Sequence, residues 1–130
     1  MVDLDQLERV LLHAALERRP VTYGTLLGYF GRKVTRITVG ALCRDLGLVC
    51  GRVEARGGPD LAVLVVRKSD GLPGEGYFAA LRAEGAYDGP STGPAAHAFV
   101  AARQAAVYAT VADGSSARAE PVVGVEDGPA

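Results

Sequence analysis

Two short helices joined by a glycine-containing turn are indicated by residues 20–46, and an amphipathic helical segment precedes them. A continuous apolar run at 61–66 follows, and another helical apolar pattern begins at Pro94. Three helices followed by a hairpin are the element order of a winged helix, in which the second helix of the pair faces a DNA groove. The sequence therefore predicts an α+β fold: a winged helix-turn-helix with a small β-hairpin or sheet and an added C-terminal helix.

The first helix is predicted from Asp3 to Arg18. Asp3 and Gln6 have the spacing of a capping box, and Arg19 and Pro20 end the segment. Apolar residues recur at helical spacing and form one stripe, which predicts the face that packs on the core. The stripe consists of Leu4, Leu7, Val10, Leu11, Ala14 and Ala15.

The helix pair has recognisable start and stop residues. Thr22 is a suitable N-cap for the first helix, and Gly31 is placed to end it. The second helix is expected to begin near Thr35 and to end at Gly47. This second helix, at 35–46, is the candidate recognition helix.

The segment after Gly47 is expected to form a short strand and then a turn at 57–59. The run 61–66 is short, rich in β-branched residues and bounded by turn residues, which predicts a buried strand. The loop 69–76 would be the wing, followed by a return strand or another helix at 76–78. Six residues of this arrangement are expected to be buried together: Leu26, Phe30, Leu42, Leu46, Val63 and Val65.

The C-terminal part contains two further predicted helices and a tail. A short helix is expected at 79–86, and Pro94 is suited to the first turn of a longer one at 94–111. The apolar face of the longer helix should pack on the domain or on a second copy. From Asp113 the chain is mostly Gly, Ser, Ala, Pro and acidic residues. We therefore expect a domain at 1–112 and a flexible acidic tail at 113–130.

Several classes of protein are disfavoured by composition. No apolar run approaches the length of a membrane span, and the N-terminal residues do not resemble a signal peptide. Two cysteines, Cys43 and Cys50, are too few for a disulfide framework. We expect unpaired thiols in a cytoplasmic protein, with Cys43 as a small core residue.

No pattern in the sequence indicates catalysis, a metal site or a cofactor. His13, His97 and the two cysteines lack the close pairing that zinc ligands show. The glycines at 71–76 do not have the order of a phosphate-binding loop, and none of the serines lies in a nucleophile-elbow sequence. We therefore expect a protein that is not an enzyme and binds no cofactor.

Charge is distributed unevenly along the chain. Ten basic and three acidic residues lie between Arg18 and Lys68, a net charge of +7, although the whole chain carries −1. The remainder therefore carries −8. A basic segment of this kind is typical of proteins with a polyanionic partner.

Three stretches resemble the C-terminal domain of alkylguanine-DNA alkyltransferases and alkyltransferase-like proteins. They are VTYGTLLGYFG, VGAL and LAVLVVRKSDGLPGEGYF, within residues 20–78. Tyr23 and Gly24 match the family's Tyr-Gly pair, and Val39 and Gly40 match its Val-Gly pair. Arg36 lies one position too far from Gly40 to match the intercalating arginine. The family's Pro-Cys-His-Arg site is replaced by residues 63–66, so the resemblance implies the fold and a DNA-facing surface but no alkyl transfer.

Two functions are compatible with these observations. The first is a non-enzymatic nucleic-acid-binding protein, with double-stranded DNA as the expected partner of the helix at 35–46. In that hypothesis Arg36, Thr38 and Arg44 lie in the groove. The other candidate nucleic-acid-binding residues are Tyr23 and Thr35, with Arg32, Lys33, Arg52 and Lys68 on phosphates.

The second function is a protein-protein interaction module, an adaptor or a regulatory subunit that keeps the winged-helix shape. The apolar helix at 94–111, the acidic tail and the shortage of base-reading amides favour it, because the chain has no Asn and only Gln6 and Gln104. The basic central segment favours nucleic acid.

Overall fold

The computed structural model describes residues 3–118, with side chains up to Asp113. Five α-helices surround one core, and two very short strands pair beside it. The elements in chain order are α1 (Leu4–Leu16), β1 (Val21–Thr22), α2 (Tyr23–Tyr29), α3 (Arg36–Ala55), a 3₁₀ turn (Leu61–Leu64), β2 (Val65–Val66), α4 (Glu75–Glu84) and α5 (Pro94–Arg118). This helix-rich architecture with a small parallel sheet is compatible with the predicted α+β class.

The first three helices begin at the residues that the sequence indicated. The Asp3 carboxylate accepts the amide hydrogens of Asp5 and Gln6, and the Thr22 hydroxyl accepts that of Thr25. Gly31 follows α2 in a left-handed conformation, with a φ of 66°. Side-chain oxygens at these positions satisfy amides that have no partner inside the helix. The start positions of α1, α2 and α3 therefore follow from local sequence signals.

The predicted end of α3 at Gly47 is wrong, and so is the strand expected after it. The helix continues through Gly47 to Ala55, because Val49, Cys50 and Val53 extend its apolar face into the core. Burial of such side chains outweighs the ~1 kcal/mol that a helical glycine costs. The helix ends where Gly57 adopts a φ of 77° and the Gly58 amide donates to the Val53 carbonyl.

The prediction for 61–66 is half right. The segment is buried as expected except for the partly exposed Ala62, but its first four residues form the 3₁₀ turn, and β2 is its strand. β2 pairs in parallel with β1, in the register Val21 with Val65 and Thr22 with Val66. A parallel pair needs a crossover connection, which α2 and α3 provide here.

A wing hairpin is not formed in residues 3–118. After β2 the chain turns at 67–72, where the Arg67 guanidinium donates to both carboxylate oxygens of Asp70. It then enters α4 at Glu75, so the return strand considered for 76–78 is helix instead. Gly85, with a φ of 72°, caps the end of α4.

The predicted core residues lie together. Leu26, Leu42, Leu46, Val63 and Val65 are buried in one cluster, and Phe30 packs against it partly exposed. The clustering confirms that the helix pair and the 61–66 segment share a core.

The long helix α5 closes this core. Its residues Ala96, Val100, Val107 and Val111 are buried, and the Gln104 amide donates to the Val63 carbonyl. The apolar face thus packs on its own domain. α5 ends at Arg118, seven residues beyond the predicted end and inside the segment expected to be a tail. Residues 119–130 of that predicted tail lie outside the described residues.

Within residues 3–118, none of the helices combines the length and apolar character that crossing a membrane requires.

Candidate nucleic-acid interface

The outer face of α3 is the surface that the sequence proposed for nucleic acid. Arg36, Gly40, Arg44 and Gly47 lie on one side of this helix, opposite the side that enters the core. Two large apolar side chains flank them, since Ile37 is 82% exposed and Leu48 is 60% exposed. The face is therefore open along its length and carries small, basic and apolar residues.

Four of the predicted basic residues have exposed side chains without an ion-pair partner in the described part of the chain. Lys33 precedes α3, Arg36 opens it, Arg44 lies two turns further on, and Lys68 lies in the loop after β2. Arg32 is exposed in the turn between α2 and α3, and its amide donates to the Leu27 carbonyl. Charges without a protein partner remain available to a polyanion.

Thr35 and Thr38 use their hydroxyl groups inside the protein. The Thr35 oxygen accepts the Thr38 amide at 3.0 Å, and the Thr38 oxygen accepts the Thr35 amide at 2.8 Å. The Thr38 hydroxyl also donates to the Lys33 carbonyl at 2.5 Å. These contacts form a capping box, which fixes the direction of the turn before α3. Both threonines thus position Lys33 and Arg36.

Arg52 lies apart from the other predicted phosphate contacts. Its guanidinium donates to Asp5 at 2.7 Å and to Glu8 at 3.2 Å, both on α1. Arg56 joins the same network, with 2.6 Å to Glu8. Hydrogen bonding to Asp5 raises the pKa of Arg52 above its usual value. This arginine connects α3 to α1, and its predicted phosphate contact would require these bonds to break.

Tyr23 is half-buried beside α3. Its hydroxyl oxygen accepts the Gly74 amide hydrogen at 3.2 Å, which ties α2 to the loop before α4. Burial, together with the neighbouring Cys43, raises the pKa of Tyr23. Tyr23 therefore links the helix pair to the loop that was proposed as the wing.

The prediction that Cys43 is a core residue is wrong. Cys43 is exposed on α3 rather than in the core, because it lies on the side that holds Gly47, and Cys50 is the buried thiol. Partial desolvation raises the pKa of the Cys43 thiol, and burial raises that of Cys50 to about 12 with the Asp60 and Glu54 carboxylates nearby. A raised pKa keeps a thiol protonated near neutral pH and unreactive as a nucleophile. Both cysteines are free in the structure.

A groove of about 1040 Å³ borders this face, between α3 and α4. Tyr23 and Val34 lie at one end, and Glu54 and Glu84 are among the residues that line it further along both helices. The groove was not predicted from the sequence. The signal that could have indicated it is the spacing of Cys43, Gly47, Cys50 and Gly51, small residues on one side of a helix.

A polar cluster ties together the segments around the groove. The Tyr77 hydroxyl donates to the Asp60 carboxylate at 2.7 Å, and Arg103 of α5 donates to the same oxygen at 3.2 Å. Burial and the hydrogen bond to Asp60 raise the pKa of Tyr77 well above its usual value. The cluster holds α4 against α5 and against the segment that follows α3.

Residues 3–118 contain no group of three His, Cys, Asp or Glu side chains arranged to hold a metal ion. Comparisons with protein-family models, curated proteins and solved structures found no match for the chain. Its interpretation therefore depends on the geometry of the α3 face and of the groove.

Proposed function

We propose that this protein is a non-enzymatic DNA-binding protein that contacts double-stranded DNA with the N-terminal half of α3. The observation that carries the proposal is the placement of Lys33, Arg36 and Arg44 on one exposed surface without carboxylate partners in the described residues. Such cations bind phosphates with release of counterions, the largest contribution to many protein–DNA affinities.

The backbone of α3 supports the same proposal. A Cβ atom added at Gly40 would meet nothing within 4 Å, so packing inside the protein does not require this glycine. Glycine on an exposed helix costs roughly 0.5–1 kcal/mol relative to alanine. Its presence between Arg36 and Arg44 allows the helix backbone to approach a partner closely.

We infer that the domain is a winged-helix variant in which the loop 67–74 replaces a hairpin wing. Lys68 lies in this loop, and Tyr23 connects it to α2 through Gly74. The motifs shared with alkyltransferase C-terminal domains are consistent with this assignment. Under this proposal, Lys33 and Lys68 contact phosphates on either side of the groove that α3 enters.

The proposal predicts different effects for Lys33→Ala and Arg36→Ala. Loss of Lys33 should weaken binding to all duplexes equally and reduce the slope of log K against log salt concentration by about one. If Arg36 contacts a guanine edge, its loss should cost about 1–3 kcal/mol on the preferred duplex and relax the preference at one position. Fluorescence anisotropy with labelled duplexes across a salt series measures both effects.

Arg9→Ala is the matched control. Arg9 is exposed on the side of α1 that points away from the core, so the variant removes the same charge elsewhere. It should retain wild-type affinity and salt slope. Equal losses of duplex affinity in all three variants would indicate a general charge effect and not an α3 interface. Absence of duplex binding by the wild-type protein at low salt would refute the proposal.

A further inference from the structure

The groove between α3 and α4 has two helical walls, and no element of residues 3–118 is seated between them. On α3 the wall follows helical spacing, with Cys43, Gly47, Gly51 and Glu54 exposed along it. On α4 the exposed wall residues include Glu75, Ala80 and Glu84. Leu46, Cys50 and Leu81 form a buried apolar floor between the walls. A groove with an apolar floor between two helices can accept the apolar stripe of an amphipathic helix.

The length of the α4 wall fits a short helix. α4 has ten residues, which corresponds to a wall about 15 Å long at 1.5 Å per residue. Cβ atoms added at Gly47 and Gly51 would meet nothing within 4 Å, so both glycines leave open space on the α3 wall. An incoming helix of roughly three turns could therefore approach α3 closely.

The charges around the groove indicate which kind of helix could bind there. Glu54, Glu75 and Glu84 line it, and none has a lysine or arginine partner in the described residues. Asp60 is already neutralised by Arg103, and Arg67 by Asp70. Lys68 is the remaining lining cation without such a partner in residues 3–118. The unpaired charge is predominantly acidic, which repels nucleic acid and attracts basic side chains.

We propose that the groove binds a basic amphipathic helix of a partner protein. The apolar stripe of that helix packs on Leu46, Cys50 and Leu81, and its lysine or arginine side chains pair with Glu54 and Glu84. A second copy of this chain fits less well, because the outward positions of α5 in the described residues are mostly alanine. The groove adjoins the basic surface of Lys33, Arg36 and Arg44 and is lined by Gly47 and Lys68 of the proposed DNA interface, but its acidic residues Glu54 and Glu84 lie towards the other end of α3 and on α4. A protein with both sites could join DNA to a basic protein segment.

The direct test is fluorescence anisotropy of the full chain with designed peptides of about 14 residues, roughly four helical turns. One peptide has leucines on one helical face and lysines elsewhere. The second replaces lysine by glutamate, and the third replaces leucine by serine. The first should bind at least about tenfold more tightly than the other two, since it alone supplies both the apolar stripe and the complementary charge.

Gly51→Leu tests the location of the binding site. It places a side chain in the groove at an exposed helical position, where leucine is favoured over glycine, so folding should be retained. The variant should lose at least about tenfold in affinity for the lysine–leucine peptide and keep its duplex affinity. Gly28→Leu, which adds the same side chain in open space on α2, should bind the peptide as wild type does.

The double variant Glu54→Lys with Glu84→Lys should reverse the peptide preference, so that the glutamate–leucine peptide binds more tightly than the lysine–leucine peptide. Equal binding of the serine and leucine peptides would overturn the proposal, as would unchanged peptide binding by Gly51→Leu. Loss of duplex binding in Gly51→Leu, without loss of peptide binding, would assign the groove to the DNA interface instead. The peptide results do not depend on whether the wild-type protein binds duplex.

Discussion

The hydroxyls of Thr35 and Thr38 determine how α3 begins. Each accepts the other residue's amide hydrogen, and Thr38 also holds the Lys33 carbonyl. The sequence identified Thr35 as the start of the helix because threonine is a favourable N-cap. It also placed both threonines on nucleic acid, and their internal hydrogen bonds were not predictable without the reciprocal geometry of the turn. The sequence singled out both threonines but could not distinguish a capping role from contact with nucleic acid.

Replacement of Thr35 by alanine should destabilise the protein by about 1 kcal/mol, because the Thr38 amide loses its acceptor. Urea denaturation followed by circular dichroism measures the change. Thr110→Ala is the control, since Thr110 is exposed on α5 and has no side-chain hydrogen bond in the described structure. Equal stability of wild type and Thr35→Ala would show that the capping box contributes nothing to folding.

At the scale of elements, α3 shows how a stop signal and an apolar pattern compete. Gly47 was predicted to end the helix, but the apolar spacing continues through Val49 and Val53, and the ion pairs of Arg52 and Arg56 with Glu8 add contacts to α1. Gly57 is the glycine that ends it, because its φ of 77° is one that other residues adopt only with strain. The strand predicted at 61–66 is also shorter than expected, at Val65–Val66, and the local sequence again does not determine its extent. Its pairing with β1 depends on tertiary position and not on local pattern.

The two glycines should therefore respond in opposite directions to alanine. Gly47→Ala should stabilise the protein by roughly 0.5–1 kcal/mol, since the position is helical and exposed, with open space for a Cβ. Gly57→Ala should destabilise it through backbone strain at positive φ. Equilibrium urea unfolding of both variants provides the comparison. A loss of stability in Gly47→Ala would contradict the assignment of residues 47–55 to a continuous helix.

At the scale of the whole molecule, the core was predictable, whereas the small residues of α3 indicate at most that a groove wall exists and not where α4 lies. Leu26, Leu42 and Val63 could be assigned to the core because apolar periodicity reports which face of an element is buried. The groove depends on how far α4 lies from α3, which the Tyr77–Asp60–Arg103 cluster and the Tyr23–Gly74 hydrogen bond determine through residues distant in sequence. Lys33, Arg36, Arg44 and Lys68 form an exposed basic set, and their binding of nucleic acid stays a prediction. Arg52 could not be separated from it, because its partners Asp5 and Glu8 lie more than forty positions away.

The central claim is that the N-terminal half of α3 contacts duplex DNA. The most direct measurement is a titration of the ¹⁵N-labelled full chain with a short duplex, followed by two-dimensional ¹H–¹⁵N NMR. We predict that amide shifts concentrate at residues 32–44 and near Lys68, while the outer face of α1 around Arg9 stays unchanged. Shifts that are absent, spread evenly over the molecule, or centred on α1 or α5 would contradict the claim.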